Sequence, residues 1–191
     1  MTNPARHIDL DGPWWVALHK FWFGVLGRER WFVRNAAVDA ALRKHFLGLY
    51  EAVAITPVSA EQLEPRAAVT AVVALDQVPR NVFRGTARAF ATDAAARRLA
   101  LDALDRGYGE KLTEDEKIFL YLPLEHSENI SDQDRCVALT AALGDAEYTR
   151  FALAHRNVIA QFGRFPHRNA VLGRASTPEE LSFLKLPGSS F

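Results

Sequence analysis

Helix start and stop signals recur along the whole sequence, and they restrict the possible fold more than any other feature. Residues 113–116 (TEDE) and 177–180 (TPEE) are capping boxes, in which a threonine hydroxyl and a glutamate carboxylate satisfy the first amides of a helix. Asn35 and Asp145 are suited to cap two further helices, and Gly163 is suited to end one. No run of residues alternates polar and apolar side chains as a strand does. We therefore predict an all-α fold of about eight helices.

The most apolar segment predicts a helix at the centre of the core. Residues 67–77 are apolar on nearly every side of a helix, and such helices are buried. Pro79 follows, and a proline disfavours helical geometry at the residue before it. We therefore expect residues 76–84 to lie at a helix end and in the following turn. An aromatic helix over residues 14–23 and a helix capped by Thr92 are also predicted.

Length, charge and cysteine content exclude several classes of protein. The 191 residues suit a single helical domain, 1–191. Lysine plus arginine and aspartate plus glutamate number 23 each, so no net charge favours nucleic acid or an anionic membrane. The single Cys136 excludes an internal disulfide, and residues 1–12 lack the apolar core of a signal peptide. We predict a cytoplasmic protein with neither nucleic acid nor membrane as its partner.

Two segments of opposite charge carry the polar side chains that suggest a site. Residues 148–175 contain five arginines, two histidines and no carboxylate, whereas residues 113–147 contain nine acidic and two basic residues. The planar guanidinium of arginine pairs well with phosphate, sulfate and carboxylate groups. The arginines therefore hold either an external anion or the protein's own carboxylates, and the sequence leaves both interpretations open.

The acidic segment contains a group of residues suited to proton transfer. Glu125 and Glu128 flank His126, and carboxylates beside an imidazole can act as a general base or as metal ligands at neutral pH. The recognised metal-ligand spacings are absent from the sequence, as is the glycine-flanked elbow that would activate Ser127. We predict neither a metal nor a cofactor.

The predicted site contains two sets of residues. The candidate catalytic residues, which would act as acid or base, are Glu125, His126 and His167. The candidate ligand-binding residues, which are polar and lie beside apolar runs, are Asp76, Gln77, Arg80, Asn81, Arg84, Glu128, His155, Arg164, Arg168, Asn169 and Arg174. Since a buried charge without a partner is unfavourable, we expect seven of these residues to converge in space: Asp76, Arg80, Glu125, His126, Arg164, His167 and Arg168.

Long motifs in the sequence resemble the bacterial family DUF924. These motifs are FWFG, LDQVPRNVFRGTARAFATD, FLYLPLEHSE, DQDR and FGRFPHRNAVLGRASTPEE, and they span residues 21–180 in the order found in the family. The resemblance implies an all-helical fold grouped with tetratricopeptide-like, right-handed superhelices of antiparallel hairpins. It implies no established activity, but the polar pattern of the family falls on the candidate site residues and on Gln133. Val78 and the region of Glu64, where the family usually has aromatic residues, depart from the pattern.

Two functions are compatible with these features. The first is a site for a small anionic ligand, in which arginines hold the anion and Glu125, His126 or His167 moves a proton. The second is an interaction module without catalysis, in which a helical superhelix grips a peptide or its terminal carboxylate. Clustered motifs, rather than motifs spread at repeat intervals, favour the first function.

Overall fold

The computed structural model describes residues 13–56 and 58–190, and these residues contain nine α-helices and no strand. The prediction of an all-α fold is confirmed. The helices are α1 (Val16–His19), α2 (Arg28–Trp31), α3 (Ala36–Ile55), α4 (Pro65–Val82), α5 (Asp93–Asp105), α6 (Glu114–Glu125), α7 (Ile130–Leu143), α8 (Ala146–Phe162) and α9 (Pro178–Phe183). None of them is both long and apolar enough to cross a membrane. Residues 1–12, where the sequence predicts no signal peptide, lie outside the described part of the chain.

The chain divides into two compact units. The first contains residues 13–84 and 88–123 of the described chain, and the second contains residues 85–87 and 124–190. The first unit therefore holds α1 to α5 and most of α6, and the second holds α7 to α9. The single domain and the tetratricopeptide-like arrangement stay predictions.

The first unit is built around α4, as the apolar segment predicts. Every residue from 67 to 79 is buried, and the helix packs against α1, α3 and α5. Pro65 occupies the first position of α4, where its missing N–H leaves no hydrogen bond unmade. Asn35 caps the neighbouring α3, accepting hydrogen bonds from the amides of Ala37 and Val38.

The predicted helix end before Pro79 is wrong, because α4 continues to Val82. Proline cannot donate to the carbonyl one turn earlier, which here belongs to Leu75. The hydroxyl of Thr92 donates to that carbonyl instead, at 2.5 Å. Thr92 consequently makes no side-chain cap on α5, which corrects a second prediction. A side chain distant in sequence thus satisfies the carbonyl that Pro79 leaves without its usual donor.

The aromatic N-terminal segment forms a shorter α-helix than predicted. α1 begins at Val16 and passes at Lys20 into a π-helical segment, Lys20–Leu26, which ends at Gly27 with φ of +74°. The indole N–H of Trp31 donates to the carbonyl of Trp22 within this segment, at 2.8 Å. Both tryptophans are buried.

The second unit contains a helical hairpin formed by α7 and α8. The two helices pack against each other and are joined by Gly144 and Asp145 alone. Asp145 caps α8 by accepting from the amides of Glu147 and Tyr148, and Gly163 ends it with φ of +69°. Both boundaries confirm the sequence prediction.

Both predicted capping boxes form. In the first unit, the amide of Thr113 donates to the Glu116 carboxylate at 2.8 Å, and the Glu116 amide donates back to the threonine hydroxyl. In the second unit, Thr177 and Glu180 make the same reciprocal pair at the start of α9. Glu180 is buried, so its carboxylate also faces the interior of its unit.

Candidate functional site

The predicted site residues of the first unit lie on the last two turns of α4 and, for Arg84, just beyond its end. Both terminal nitrogens of Arg80 donate hydrogen bonds to the carboxylate of Asp93, at 2.8 and 3.0 Å. One of them also lies 3.2 Å from a carboxylate oxygen of Asp76. Gln77 donates to the other Asp76 oxygen at 2.5 Å. Burial opposes the charge on Arg80, but the two carboxylates outweigh it and raise the pKa of the guanidinium. Arg80 is therefore held by carboxylates of its own unit.

The second arginine of this group is held in the same way. Arg84 forms a two-pronged ion pair with Asp39, at 2.9 and 3.2 Å, and donates to the side-chain oxygen of Asn81. Asn81 in turn donates to the carbonyl of Gln77. The structure thus brings Asp76, Gln77, Arg80, Asn81 and Arg84 into one network within the first unit.

In the second unit, Arg164 is paired with a carboxylate that the site prediction omitted. Its guanidinium donates to both oxygens of Glu180, at 2.6 and 2.8 Å, and to the carbonyl of Ala175. Asn169 donates to the same carboxylate at 3.1 Å. The hydrogen bond from Arg164 is the main reason that the pKa of Glu180 falls to about 2, with Thr177 adding to the effect.

Arg174 joins Glu128 to the same network. Arg174 and Glu128 form a two-pronged ion pair, at 2.8 and 3.0 Å. Glu128 also accepts from the amide of Phe165, and Arg174 also donates to the side chain of Asn169. Burial opposes the negative charge, but these hydrogen bonds lower the pKa of Glu128 overall.

A different arrangement surrounds His155, a buried residue of α8. Its Nδ1 lies 2.9 Å from the carbonyl oxygen of Phe151 and 3.2 Å from a carboxylate oxygen of Glu125. Since a carbonyl oxygen only accepts, Nδ1 carries the proton and Nε2 carries the lone pair of the neutral ring. The ring of His126 lies 6.3 Å from that of His155, centroid to centroid.

Three more residues of the basic segment lie near His155. The ring of Phe165 lies 5.7 Å from it, and against Phe165 lie the ring of His167, at 5.6 Å, and the guanidinium of Arg168, at 4.5 Å. Burial is the main reason that the pKa of His155 falls to about 3; the charges of His126, Arg168 and His167 add to this effect, and the hydrogen bond to the Phe151 carbonyl opposes it. We call the five side chains Glu125, His126, His155, His167 and Arg168 the histidine cluster.

Cys136 also borders the histidine cluster. Its sulfur lies 3.9 Å from a carboxylate oxygen of Glu125, and the thiol is fully buried. Burial raises the pKa of the thiol, and the neighbouring carboxylate raises it further. The side chain is therefore a neutral thiol that packs beside the carboxylate, not a nucleophile.

The predicted site residues thus form groups in each unit, and their convergence across the two units stays a prediction. Among the described residues, no three His, Cys, Asp or Glu side chains are arranged to hold a metal ion. A surface depression of about 580 Å³ lies on the α7–α8 hairpin. Its lining residues include Arg150, Leu153 and Asn157, and none of them belongs to the predicted site.

Sequence reasoning included Asp76 and Glu128 but missed three other carboxylates that hold the arginines, namely Asp39, Asp93 and Glu180. Asp39 lies 45 positions from Arg84, and Asp93 lies 13 positions from Arg80. Both occupy the first turn of a helix, where acidic residues are common for other reasons. The capping box of residues 177–180 predicted a role for the Glu180 carboxylate, but that role requires no bond to Arg164. No local pattern could have identified these pairs.

Comparison with known proteins gives two matches. The model of a family described as bacterial proteins of unknown function (DUF924) matches residues 18–188. A solved structure of a protein of unknown function from Agrobacterium tumefaciens is 36% identical, covering 90% of this chain and 96% of that chain, with a TM-score of 0.73. Among curated proteins, no sequence matches this chain significantly.

Proposed function

Because this chain belongs to DUF924, a bacterial family of unknown function, we propose its function from the geometry of its own site: it binds a small anion at the histidine cluster. The cluster lies within the second unit, so the proposal requires no contact between units. The tetratricopeptide-like arrangement and a cytoplasmic location belong to the same proposal, the latter supported by the single, buried Cys136.

The observation that carries the proposal is the group of basic side chains around a buried, neutral histidine. His155 lies among His126, His167 and Arg168, whose charges all disfavour its protonation. Positive potential at a buried site is unfavourable by itself and becomes favourable when an anion is bound. Arg168 is buried within the cluster, where its guanidinium stacks on Phe165. Because a planar guanidinium pairs well with phosphate, sulfate and carboxylate groups, we assign the anion to Arg168.

The cluster also contains groups that can move a proton near a bound anion. His155 is neutral at neutral pH and carries the lone pair on Nε2, the nitrogen opposite the Phe151 hydrogen bond. Glu125 lies against it, and His126 and His167 are only partly buried. In an enzymatic form of the proposal, Glu125, His126 or His167 is the acid or base that acts on the anionic substrate.

The substitution Arg168→Lys tests the proposal, because it keeps the charge and removes the planar fork of donors. Phosphate or sulfate at about one hundred times its Kd should raise the wild-type melting temperature by about 5–10 °C. We expect Arg168→Lys to remain folded, to melt within a few degrees of the wild type without ligand, and to lose most of the anion-induced increase. Differential scanning fluorimetry measures both quantities.

The matched control is Arg156→Lys in α8, where the arginine forms a partly exposed ion pair with Asp134 at 2.8 Å. This variant should keep the full response to the anion. If Arg168→Lys instead melts at a much lower temperature without ligand and keeps the anion response, Arg168 stabilises the fold and does not bind the anion, and the proposal is wrong.

The surface depression supports a second candidate, a peptide-binding module without catalysis. On the α7–α8 hairpin, Arg150 lies beside the exposed apolar side chain of Leu153, a combination suited to a peptide's terminal carboxylate and its last side chain. Stabilisation by peptide acids but not by peptide amides, lost in Arg150→Ala and kept in Arg168→Lys, would favour this candidate over the first.

A further inference from the structure

Gln133 of α7 is fully buried and holds the end of α6. Its Nε2 lies 3.3, 2.6 and 2.7 Å from the carbonyl oxygens of Leu124, Glu125 and Ser127. The last carbonyls of a helix have no amide partner within that helix. A single carboxamide thus serves the backbone of the segment that contains Glu125 and His126.

The oxygen of the Gln133 carboxamide shows that the hydrogen bonds from Nε2 determine the orientation of the side chain. Among the described residues, Oε1 of Gln133 has no hydrogen-bond partner, although the atom is buried. Leaving a buried acceptor unpaired is unfavourable. The amide nevertheless points its donors at the three carbonyls, since carbonyls accept hydrogen bonds and only Nε2 can donate.

The backbone that Gln133 holds fixes two members of the histidine cluster. Glu125 reaches His155 at 3.2 Å, and His126 places its ring 6.3 Å from the same histidine. One residue before Gln133, Asp132 accepts a hydrogen bond from the hydroxyl of Ser127 at 2.5 Å. The first turn of α7 therefore grips the 124–127 segment from two adjacent side chains.

From these contacts we infer that Gln133 is a positioning residue of the histidine cluster: its carboxamide sets where Glu125 and His126 stand relative to His155. The inference rests on the proposed function, because it assigns Gln133 a role in the anion site. It does not make Gln133 a ligand of the anion.

The test replaces the carboxamide by an apolar chain of similar length, Gln133→Met. The control is Thr140→Val, which removes another buried hydrogen-bonding group from the same helix, one that bonds only to carbonyls of α7 itself. Two readouts are measured in each protein. One is the Kd for phosphate, and the other is the NOE between the ring protons of His126 and His155 without ligand.

We expect Gln133→Met to weaken phosphate binding by at least about fivefold and to abolish the inter-ring NOE. Thr140→Val should keep both within about twofold of the wild type. If Gln133→Met does not fold, the shortened amide of Gln133→Asn takes its place with the same expectations.

Two outcomes overturn the inference: an unchanged NOE and Kd in the Gln133 variant, or equal losses in the Thr140 variant, which would show general destabilisation. If the wild type does not bind phosphate, the proposed function fails. The NOE comparison, which needs no ligand, then still decides whether Gln133 positions the two side chains.

Discussion

At the scale of single residues, the surroundings of His155 strongly control its protonation. The side chain is buried, its Nδ1 proton is committed to the Phe151 carbonyl, and the charges of His126, His167 and Arg168 disfavour its protonation. Its pKa of about 3 lies well below the value of about 6.5 expected in the unfolded chain. The unfolded state therefore binds the proton more tightly than the folded state does.

This difference predicts a loss of stability in mild acid. The contribution of His155 is complete above pH 6.5 and is lost as the pH falls towards 3, by about 2 kcal/mol between pH 7 and pH 5. The variant His155→Asn keeps a donor near the Phe151 carbonyl and cannot titrate. Its free energy of unfolding, measured with urea, should change about 2 kcal/mol less than that of the wild type over this range.

The exposed His45 provides the control for the acid experiment. His45→Asn should show the same loss between pH 7 and pH 5 as the wild type. An identical pH dependence in the wild type and in His155→Asn would show that His155 accepts a proton in the folded protein as easily as in the unfolded one.

At the scale of secondary structure, the contact between Thr92 and α4 shows how a helix continues through a proline. The carbonyl of Leu75, which Pro79 cannot serve, accepts the Thr92 hydroxyl in the interior of the first unit. Thr70, on the same helix, donates its hydroxyl to the carbonyl of Arg66, which is also within reach of a regular helical amide. The carbonyl that accepts from Thr70 has a second donor, a backbone amide, whereas the Leu75 carbonyl that accepts from Thr92 has lost its backbone donor to Pro79.

We predict that Thr92→Val lowers the free energy of unfolding by about 1–3 kcal/mol, because it leaves the Leu75 carbonyl buried and unpaired. Thr70→Val should lower it by less. In a Pro79→Ala background, which restores an amide for Leu75, the effect of Thr92→Val should shrink, giving a coupling energy in a double-mutant cycle. Additive effects would show that Thr92 and Pro79 act independently.

The elements that the sequence predicted well are those whose signals are local. Asn35, Thr113, Asp145 and Thr177 cap their helices as predicted, because a cap and the amides it serves lie within three residues. The sequence misplaced the end of α4 because Thr92, which donates to the Leu75 carbonyl, lies 17 positions from Leu75. The same distance problem hid Asp39 and Asp93, the partners of Arg84 and Arg80, and the role of the site residues stays a prediction.

At the scale of the whole molecule, the equal numbers of acidic and basic residues set the behaviour in solution. With 23 of each, the pI is about 7.0. We expect the solubility to be lowest near pH 7 and to increase severalfold by pH 9, where the molecule gains net charge. Precipitation with ammonium sulfate at a series of pH values measures this. A solubility that is flat across this range would contradict the expectation.

The pairing of arginines with internal carboxylates also has a kinetic consequence. Arg80, Arg84, Arg164 and Arg174 each face both oxygens of a carboxylate, so their fields cancel within a few ångströms. We therefore expect the proposed anion not to be steered from afar and to meet the protein about as often as a neutral molecule of its size would. Its association rate should then depend on short-range encounter and change little with the salt concentration.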